Sequence, residues 1–176
     1  MTHSEYVAFF RTIAQQHVDI RHSETEMHFV RTVVSAEPFR QLHMEELLKS
    51  LSSKIRTPFM ILETYDAQYL DNGADAIFKH TDAAFIIVDI AGKDDFDSEE
   101  QILDKTERIG EEVLGYIRHH YRDPANKKRG TFKLTQAASE KVGPFRDKYF
   151  GTRFDLRFTP IVSKNLKYNP DKFIQP

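Results

Sequence analysis

The sequence contains no cysteine in its 176 residues, no tryptophan, and only seven glycines. Without cysteine, the chain has no disulfide bonds, thiolate zinc sites, iron–sulfur clusters or cysteine nucleophiles. The glycines occur singly, and neither G-x-G-x-x-G nor a Walker A motif is present, so a phosphate-binding loop is not predicted. No apolar run approaches the roughly 20 residues that a membrane-spanning helix needs.

A charge excess of one sign is also missing, because 25 basic and 27 acidic residues give a formal net charge of -2. Whole-chain charge therefore does not favour nucleic-acid binding, which leaves only a local basic patch. Fourteen phenylalanines and seven tyrosines indicate a folded core. We expect one domain over residues 1–176 that is soluble and cytoplasmic, with no membrane partner and no cofactor.

Apolar spacing predicts a helical N-terminal region over residues 1–40. Side chains at intervals of three or four place Tyr6, Phe10 and Ile13 on one helical face. The apolar cluster at 29–34 is compatible with either a helix or a strand. A further helix is predicted over residues 44–55, and it should end before Pro58, which restricts the preceding residue to extended geometry.

The remaining sequence predicts four strands around one long helix. The helix should begin near Ser98, which has capping-box spacing, and run for about six turns to Asp123-Pro124. The polar segment 66–75 predicts a turn. The predicted strands cover residues 59–62, 84–90, 131–135 and 153–159. We therefore expect an α+β fold with a mainly antiparallel four-stranded sheet packed by the long helix, its core lying within residues 45–170.

Candidate metal ligands are present, but their spacing is not that of known sites. No H-E-x-x-H pattern occurs, and the acidic residues near position 71 do not match an EF-hand loop. We expect packed or solvated side chains, turn chemistry and a helix start instead, so no catalytic, cofactor-binding or metal-binding residue is predicted. The candidates are the histidine group (His17, His22, His28 and His43, with Glu24 and Glu26), the calcium-like group (Asp66, Asp71, Asn72 and Asp75) and the acidic run (Asp94, Asp95, Asp97, Glu99 and Glu100).

Basic residues are concentrated in the loop 126–130 and after it. A phosphate-binding patch and a charged surface on a nearly neutral protein are both compatible with this pattern, and the charged surface is favoured. The residues are Lys127, Lys128, Arg129, Lys133, Lys141, Arg146 and Lys148.

The segment 143–151 combines aromatic and basic residues, the side chains that interface centres favour. We predict it as a candidate interface, with the alternative that its aromatic residues simply complete the core. The interface residues are Phe145, Arg146, Lys148, Tyr149 and Phe150.

The order of motifs from 45 to 170 resembles a known family. Six motifs follow one another as in small Bacteroidetes proteins that resemble phage tail-terminator and tail-completion proteins. They are the strand Pro58–Glu63, the turn Asp71-Asn72-Gly73, the strand Phe85–Val88, the helix 102–116, the segment Val142–Phe145 and the strand 153–159. Residues 1–40 lie outside the simplest family pattern.

The resemblance implies a sandwich of an antiparallel sheet with helices and no catalytic residues. Such proteins form rings, commonly hexameric, that cap the tail tube and join it to the head connector. We therefore expect a structural protein that is not an enzyme, with itself and tail-tube or connector proteins as partners, and with a place in the virion tail after assembly. Two alternatives stay open: a small enzyme with a carboxylate/histidine cleft, and a nucleic-acid- or protein-binding module that uses the loop 126–130.

Overall fold

The computed structural model describes residues 1–33, 39–71, 73, 76–92, 95–129 and 131–174. Within these residues, three helices and seven strands form an α+β fold, which confirms the predicted class. The predicted count of four strands is wrong. The helices are α1 (His3–Gln16), α2 (Phe39–Leu51) and α3 (Phe96–Arg122), and the strands are β1 (Met27–Thr32), β2 (Ile55–Glu63), β3 (Asp66–Asp71), β4 (Ile77–Ile90), β5 (Thr131–Phe132), β6 (Ala138–Phe145) and β7 (Tyr149–Thr159).

A single sheet contains all of these strands, and β4 and β7 form its centre. The strand order is β1-β2-β4-β7-β5, with β3 paired to β4 and β6 paired to β7. Among the described pairings, β1–β2 is parallel and the others are antiparallel, so the mainly antiparallel sheet is confirmed. One side of the sheet therefore ends in β1 and β3, and the other side ends in β5 and β6.

Helices α1 and α3 cover one face of this sheet. Their buried stripes follow the predicted spacing, with Tyr6, Phe10 and Ile13 on α1 and Ile109, Val113 and Ile117 on α3. Because strand side chains alternate between faces, every second residue of the central strands meets these helices. The strand residues in this core include Met60, Leu62, Phe85, Ile87, Phe154, Leu156 and Phe158.

Helix α2 packs on part of the opposite face, where Met44 and Leu48 contact the alternate strand residues. These strand residues include Phe59, Ile61, Ile86, Val88 and Tyr149. The predicted helix over 44–55 has different bounds, since α2 begins at Phe39 and Ile55 already belongs to β2. Pro58 lies inside β2, close to a shift in the β1–β2 register, which is a position where a strand tolerates proline.

The prediction of a helical region over residues 1–40 is only partly correct, because this region also contains a strand. Met27–Thr32 forms β1, which resolves the open choice at 29–34 in favour of a strand for the described part of that cluster. Val30 joins the core under α2, and Phe29 joins the core under α1. β-Branched and aromatic residues that are buried on both faces explain why no clear period was visible in the sequence.

Helix α3 is longer than the predicted six turns and has a different cap. It spans 27 residues, and the Asp95 carboxylate accepts a hydrogen bond from the Ser98 backbone N–H at 3.1 Å. The prediction of Ser98 as the cap is wrong because Asp95 supplies the acceptor one residue before the helix begins. The predicted end at Asp123 is confirmed.

Two further strand predictions need correction. Residues 66–71 form β3 instead of a turn, and all six of its residues are exposed, so no apolar alternation marked it as a strand. The predicted strand over 131–135 is reduced to Thr131–Phe132, because Leu134–Gln136 forms a short 3-10 helix. The exposed strand β6 was missed for the same reason as β3, and β7 begins at Tyr149, earlier than the predicted residue 153.

Candidate functional site: a charged depression and a basic turn

The sheet face that α2 covers becomes charged beyond the α2 contact. There, carboxylates from β2, β3 and β4 meet alternating charged residues of β7. They line a hollow of about 500 Å³, which we call the charged depression. Its charged lining residues are Glu63, Asp66, Asp82, Arg153, Asp155 and Arg157.

A buried ion pair forms the floor of the charged depression. Arg153 Nη2 donates to Glu63 Oε2 at 3.1 Å, and the two side chains are 9% and 2% exposed. Arg153 Nη1 donates to Asp155 and, at 3.4 Å, to Glu140. Arg153 Nε is buried without a hydrogen-bond partner in the described part of the chain. Because the Arg153 guanidinium group is removed from water, its burial is tolerated only while its carboxylate partners compensate its charge.

A second row of charges crosses the rim. Asp82 stands opposite Arg157 on β7, which donates to it from Nε at 2.5 Å and from Nη2 at 3.0 Å. On its other side, Asp82 stands opposite Asp66 at the start of β3. Like charges directly opposite one another destabilise a sheet unless a cation neutralises them. Asp66 is exposed and forms no ion pair with a described residue.

The charged depression has more negative than positive groups. Four carboxylates and two guanidinium groups line it, so two negative charges remain. Burial raises the pKa of the Asp155 carboxyl above its usual value, although the adjacent Arg153 guanidinium opposes this. No histidine is among its lining residues in the described chain, so the hollow does not match the carboxylate/histidine cleft of the enzyme alternative. Its chemistry suits a cationic group from outside.

The structure divides the candidate interface residues into two sets. Phe145, Tyr149 and Phe150 are buried, at 8%, 2% and 8% exposure. Phe145 and Tyr149 belong to the core beneath α2. Arg146 and Lys148 are exposed. The aromatic side chains therefore complete the core, and only the two cations are available to a partner.

Arg146 and Lys148 lie in the tight connection between β6 and β7, residues 146–148, which we call the basic turn. Arg146 and Asp147 have positive φ angles of 50° and 57°. Lys148 Nζ lies 5.0 Å from the centre of the Tyr149 ring. Within the described residues, neither cation of the basic turn has a carboxylate partner. The turn therefore presents two cations without ion-pair partners, with the Asp147 carboxylate between them in the sequence and a net charge of +1, on a backbone held by buried aromatic residues.

The other basic candidates do not form one patch with the basic turn. The loop 126–130 begins as a 3-10 helix over Pro124–Arg129, and the side chains of 127–129 lie outside the described part of the structure. Lys141 is paired with Glu107 at 2.8 Å. Lys133 is exposed beside β5.

One histidine of the metal candidates does meet carboxylates, which the sequence did not reveal. Ligand atoms of His17, Asp19 and Glu112 lie within 4.8 Å of one another. Arg108 donates to Asp19 at 2.9 Å and to Glu112 at 2.8 Å. Its hydrogen bond lowers the pKa of Asp19. A guanidinium group thus already supplies the positive charge that these carboxylates face.

The other histidine candidates do not gather at this cluster. The His28 backbone N–H donates to His22 Nδ1 at 3.4 Å, and His28 Nδ1 lies 2.8 Å from the Pro58 carbonyl oxygen. Glu24 and Glu26 are exposed in the loop before β1, and His43 is exposed on α2.

The calcium-like group and the acidic run are spread along structural elements. Asp66 and Asp71 lie at opposite ends of β3, while Asn72 and Asp75 fall outside the described residues. Asp94 also falls outside them. Asp95 caps α3, and the first turn of α3 contains Asp97 and Glu99, where negative charge favours a helix. Glu100 follows directly on the same helix.

Sequence reasoning missed the charged depression. The alternating charges of 153–157 are visible in the sequence, but a charged strand face of this kind is typical of a surface open to water. Glu63 ends an apolar strand, and Asp82 lies within one, so nothing in the local pattern indicated that they meet β7. Only the strand order brings them together.

Comparisons with protein-family models and with curated proteins identify no relative. No family model matches the sequence, and no curated protein is significantly similar to it. Among the described helices, none combines the length and apolar character needed to cross a membrane.

Proposed function

We propose that this chain is a structural subunit of a phage-like tail, in the role of a tail-terminator or tail-completion protein. In this proposal it works as a closed ring, hexameric when assembled, and contacts tail-tube or connector proteins. The sequence resemblance from 45 to 170 motivates the role, and the fold class that it implies agrees with the observed α+β fold.

The observation that carries the proposal is the pair of unlike open edges on one sheet. Among the described strands, β3 pairs only with β4 and exposes all six residues, while β6 pairs only with β7 on the opposite side. Strand edges with free backbone groups are templates for pairing with another chain. Unlike edges on opposite sides support head-to-tail association, which closes into a ring when the rotation permits.

Exposed apolar side chains after β7 provide further support. Tyr168 and Phe173 stack on one another with their ring centres 5.3 Å apart, yet remain 71% and 60% exposed. Ile174 is fully exposed. Clustered exposed apolar groups of this kind are typical of protein interaction sites. In an assembled tail, a neighbouring subunit or a tail protein would cover them.

The test is the mass of the protein in solution together with its shape. Light scattering and sedimentation velocity over a wide concentration range should detect a concentration-dependent oligomer, and negative-stain electron microscopy should then reveal closed rings. A strict monomer at high concentration, with no binding to tail-tube or connector proteins, would overturn the proposal.

A further inference from the structure

Only one member of the like-charge pair on the rim of the charged depression has a cationic partner among the described residues. Asp66 and Asp82 stand opposite one another across β3 and β4. Arg157 engages both oxygens of Asp82, whereas Asp66 has no cationic partner among the described residues. The rim therefore presents an unneutralised carboxylate beside a hollow that already has a negative excess.

The basic turn carries charges of the opposite sign that also lack partners. Arg146 and Lys148 are exposed cations without carboxylate partners in the described structure. Phe145 and Tyr149, on either side of the turn, are anchored in the core under α2. Because these anchors hold the backbone of the turn, it loses little backbone entropy on binding. The exposed Lys164 and Lys167 have a buried residue, Val162, on one side only, because the described residues that follow them are exposed.

These two features cannot meet within one molecule. The basic turn precedes Tyr149, while the depression lies around Asp155, and six residues of extended strand separate them by roughly 20 Å. The basic turn lies at the end of β6, on one side of the sheet, and Asp66 lies at the start of β3, on the opposite side. The positions thus match the two unlike edges that would meet in head-to-tail association.

We propose that the basic turn of one copy docks at the Asp66 rim of the charged depression of a second copy. Arg146 and Lys148 would then neutralise Asp66 of the neighbour, beside its Asp82–Arg157 ion pair. This contact rests on the proposed ring function, since it specifies which surfaces of adjacent subunits meet. Because each copy carries one turn and one depression, the contact repeats around a closed assembly.

Two charge-reversed proteins test the contact. The first carries Arg146→Glu with Lys148→Glu, and the second carries Asp66→Lys. Each alone should associate at least about tenfold more weakly than the wild type in sedimentation velocity at low salt, since like charges then face one another. Mixed together, they should restore association, because the acidic turn of the first protein meets the lysine-bearing rim of the second.

A matched control carries Arg118→Glu with Arg122→Glu, which reverses the same number of exposed charges on α3, the helix that covers the opposite face of the sheet. It should assemble like the wild type, and circular dichroism melts should confirm that all variants are folded. Wild-type-like assembly of both reversed proteins, or a mixture that stays dissociated, would overturn the contact and leave the ring proposal standing. A wild type that never associates would overturn both.

Discussion

The guanidinium group of Arg153 reaches over β4 to the carboxylate of Glu63, and so joins β7 to β2 across the strand between them. The pair lies at the border between the apolar part of this face, which α2 covers, and the charged depression. Both partners are almost fully buried, so each depends on the other for compensation of its charge.

Removal of Arg153 should therefore be costly. Arg153→Met leaves Glu63 buried without its cation, and we expect a loss of about 3–5 kcal/mol in the free energy of unfolding. The double variant with Glu63→Met should recover much of this loss. As a control, Arg108→Met breaks exposed ion pairs and should cost less than about 1 kcal/mol. Urea denaturation measures all three; an Arg153→Met variant as stable as the control would contradict the assignment.

Gly110 on α3 should be intolerant of any side chain. A Cβ at this position would lie 1.9 Å from the ring of Phe154, which is buried in the core and cannot move aside freely. Gly110→Ala should cost about 1–3 kcal/mol through overpacking. Gly115 on the same helix has no atom within 4 Å of the equivalent position, so Gly115→Ala should stabilise the protein by up to about 1 kcal/mol. Thermal melts in which Gly110→Ala lowers the melting temperature and Gly115→Ala raises it would support this packing. Equal shifts of the melting temperature would contradict it.

Val113 lies fully buried where α3 meets the sheet. Val113→Asp would bury a carboxylate without a cationic partner in the core, and we expect a loss of about 3 kcal/mol or more. Glu111→Asp, on the exposed side of α3, is the control and should change stability by less than about 1 kcal/mol. A Val113→Asp protein that melts with the wild type would reject the packing of this face.

The helices and apolar strands could be predicted because burial imposes a period on their sequences. Ile109, Val113 and Ile117 reveal the sheet-facing stripe of α3, and Phe154, Leu156 and Phe158 reveal one face of β7. By contrast, β3 and β6 are exposed edge strands that are held by backbone pairing to β4 and β7. Hydrogen bonding through the main chain leaves no hydrophobic pattern, so these strands were invisible in the sequence.

The charged depression could not be predicted for a different reason. Glu63 and Arg153, which form the ion pair on its floor, are 90 residues apart in the sequence. Their proximity depends on β2 and β7 both flanking β4, a topological fact that local spacing does not encode. The basic turn was recognised from its composition, but composition alone could not separate its exposed cations from the buried aromatic residues beside them.

Stability should fall in mild acid because of His22. Burial lowers the pKa of this imidazole from its usual 6.5, which means that the folded chain favours the neutral form. Above the pKa that His22 has in the unfolded chain, the imidazole is neutral in both states and the full stability of the fold is present. As the pH falls towards the lower pKa of the folded chain, the unfolded chain binds a proton first, so the free energy of unfolding decreases. His22→Gln should therefore reduce the loss of melting temperature between about pH 7.5 and about pH 5.5. His119→Gln, at an exposed position on α3, is the control, and an identical pH dependence in both variants would contradict the prediction.

The cluster of His17, Asp19 and Glu112 should remain metal-free in the wild type, although its atoms are close enough to bind an ion. Arg108 holds both carboxylates, and a divalent cation would have to displace this guanidinium group against charge repulsion. Elemental analysis of untagged protein after dialysis should find no stoichiometric transition metal, and a chelator should leave the melting temperature unchanged. Arg108→Ala removes the competing charge, so this variant should bind Zn²⁺ more tightly than the wild type in calorimetric titration. Stoichiometric metal in the dialysed wild type, or equal zinc affinity in both proteins, would show that Arg108 does not control the cluster.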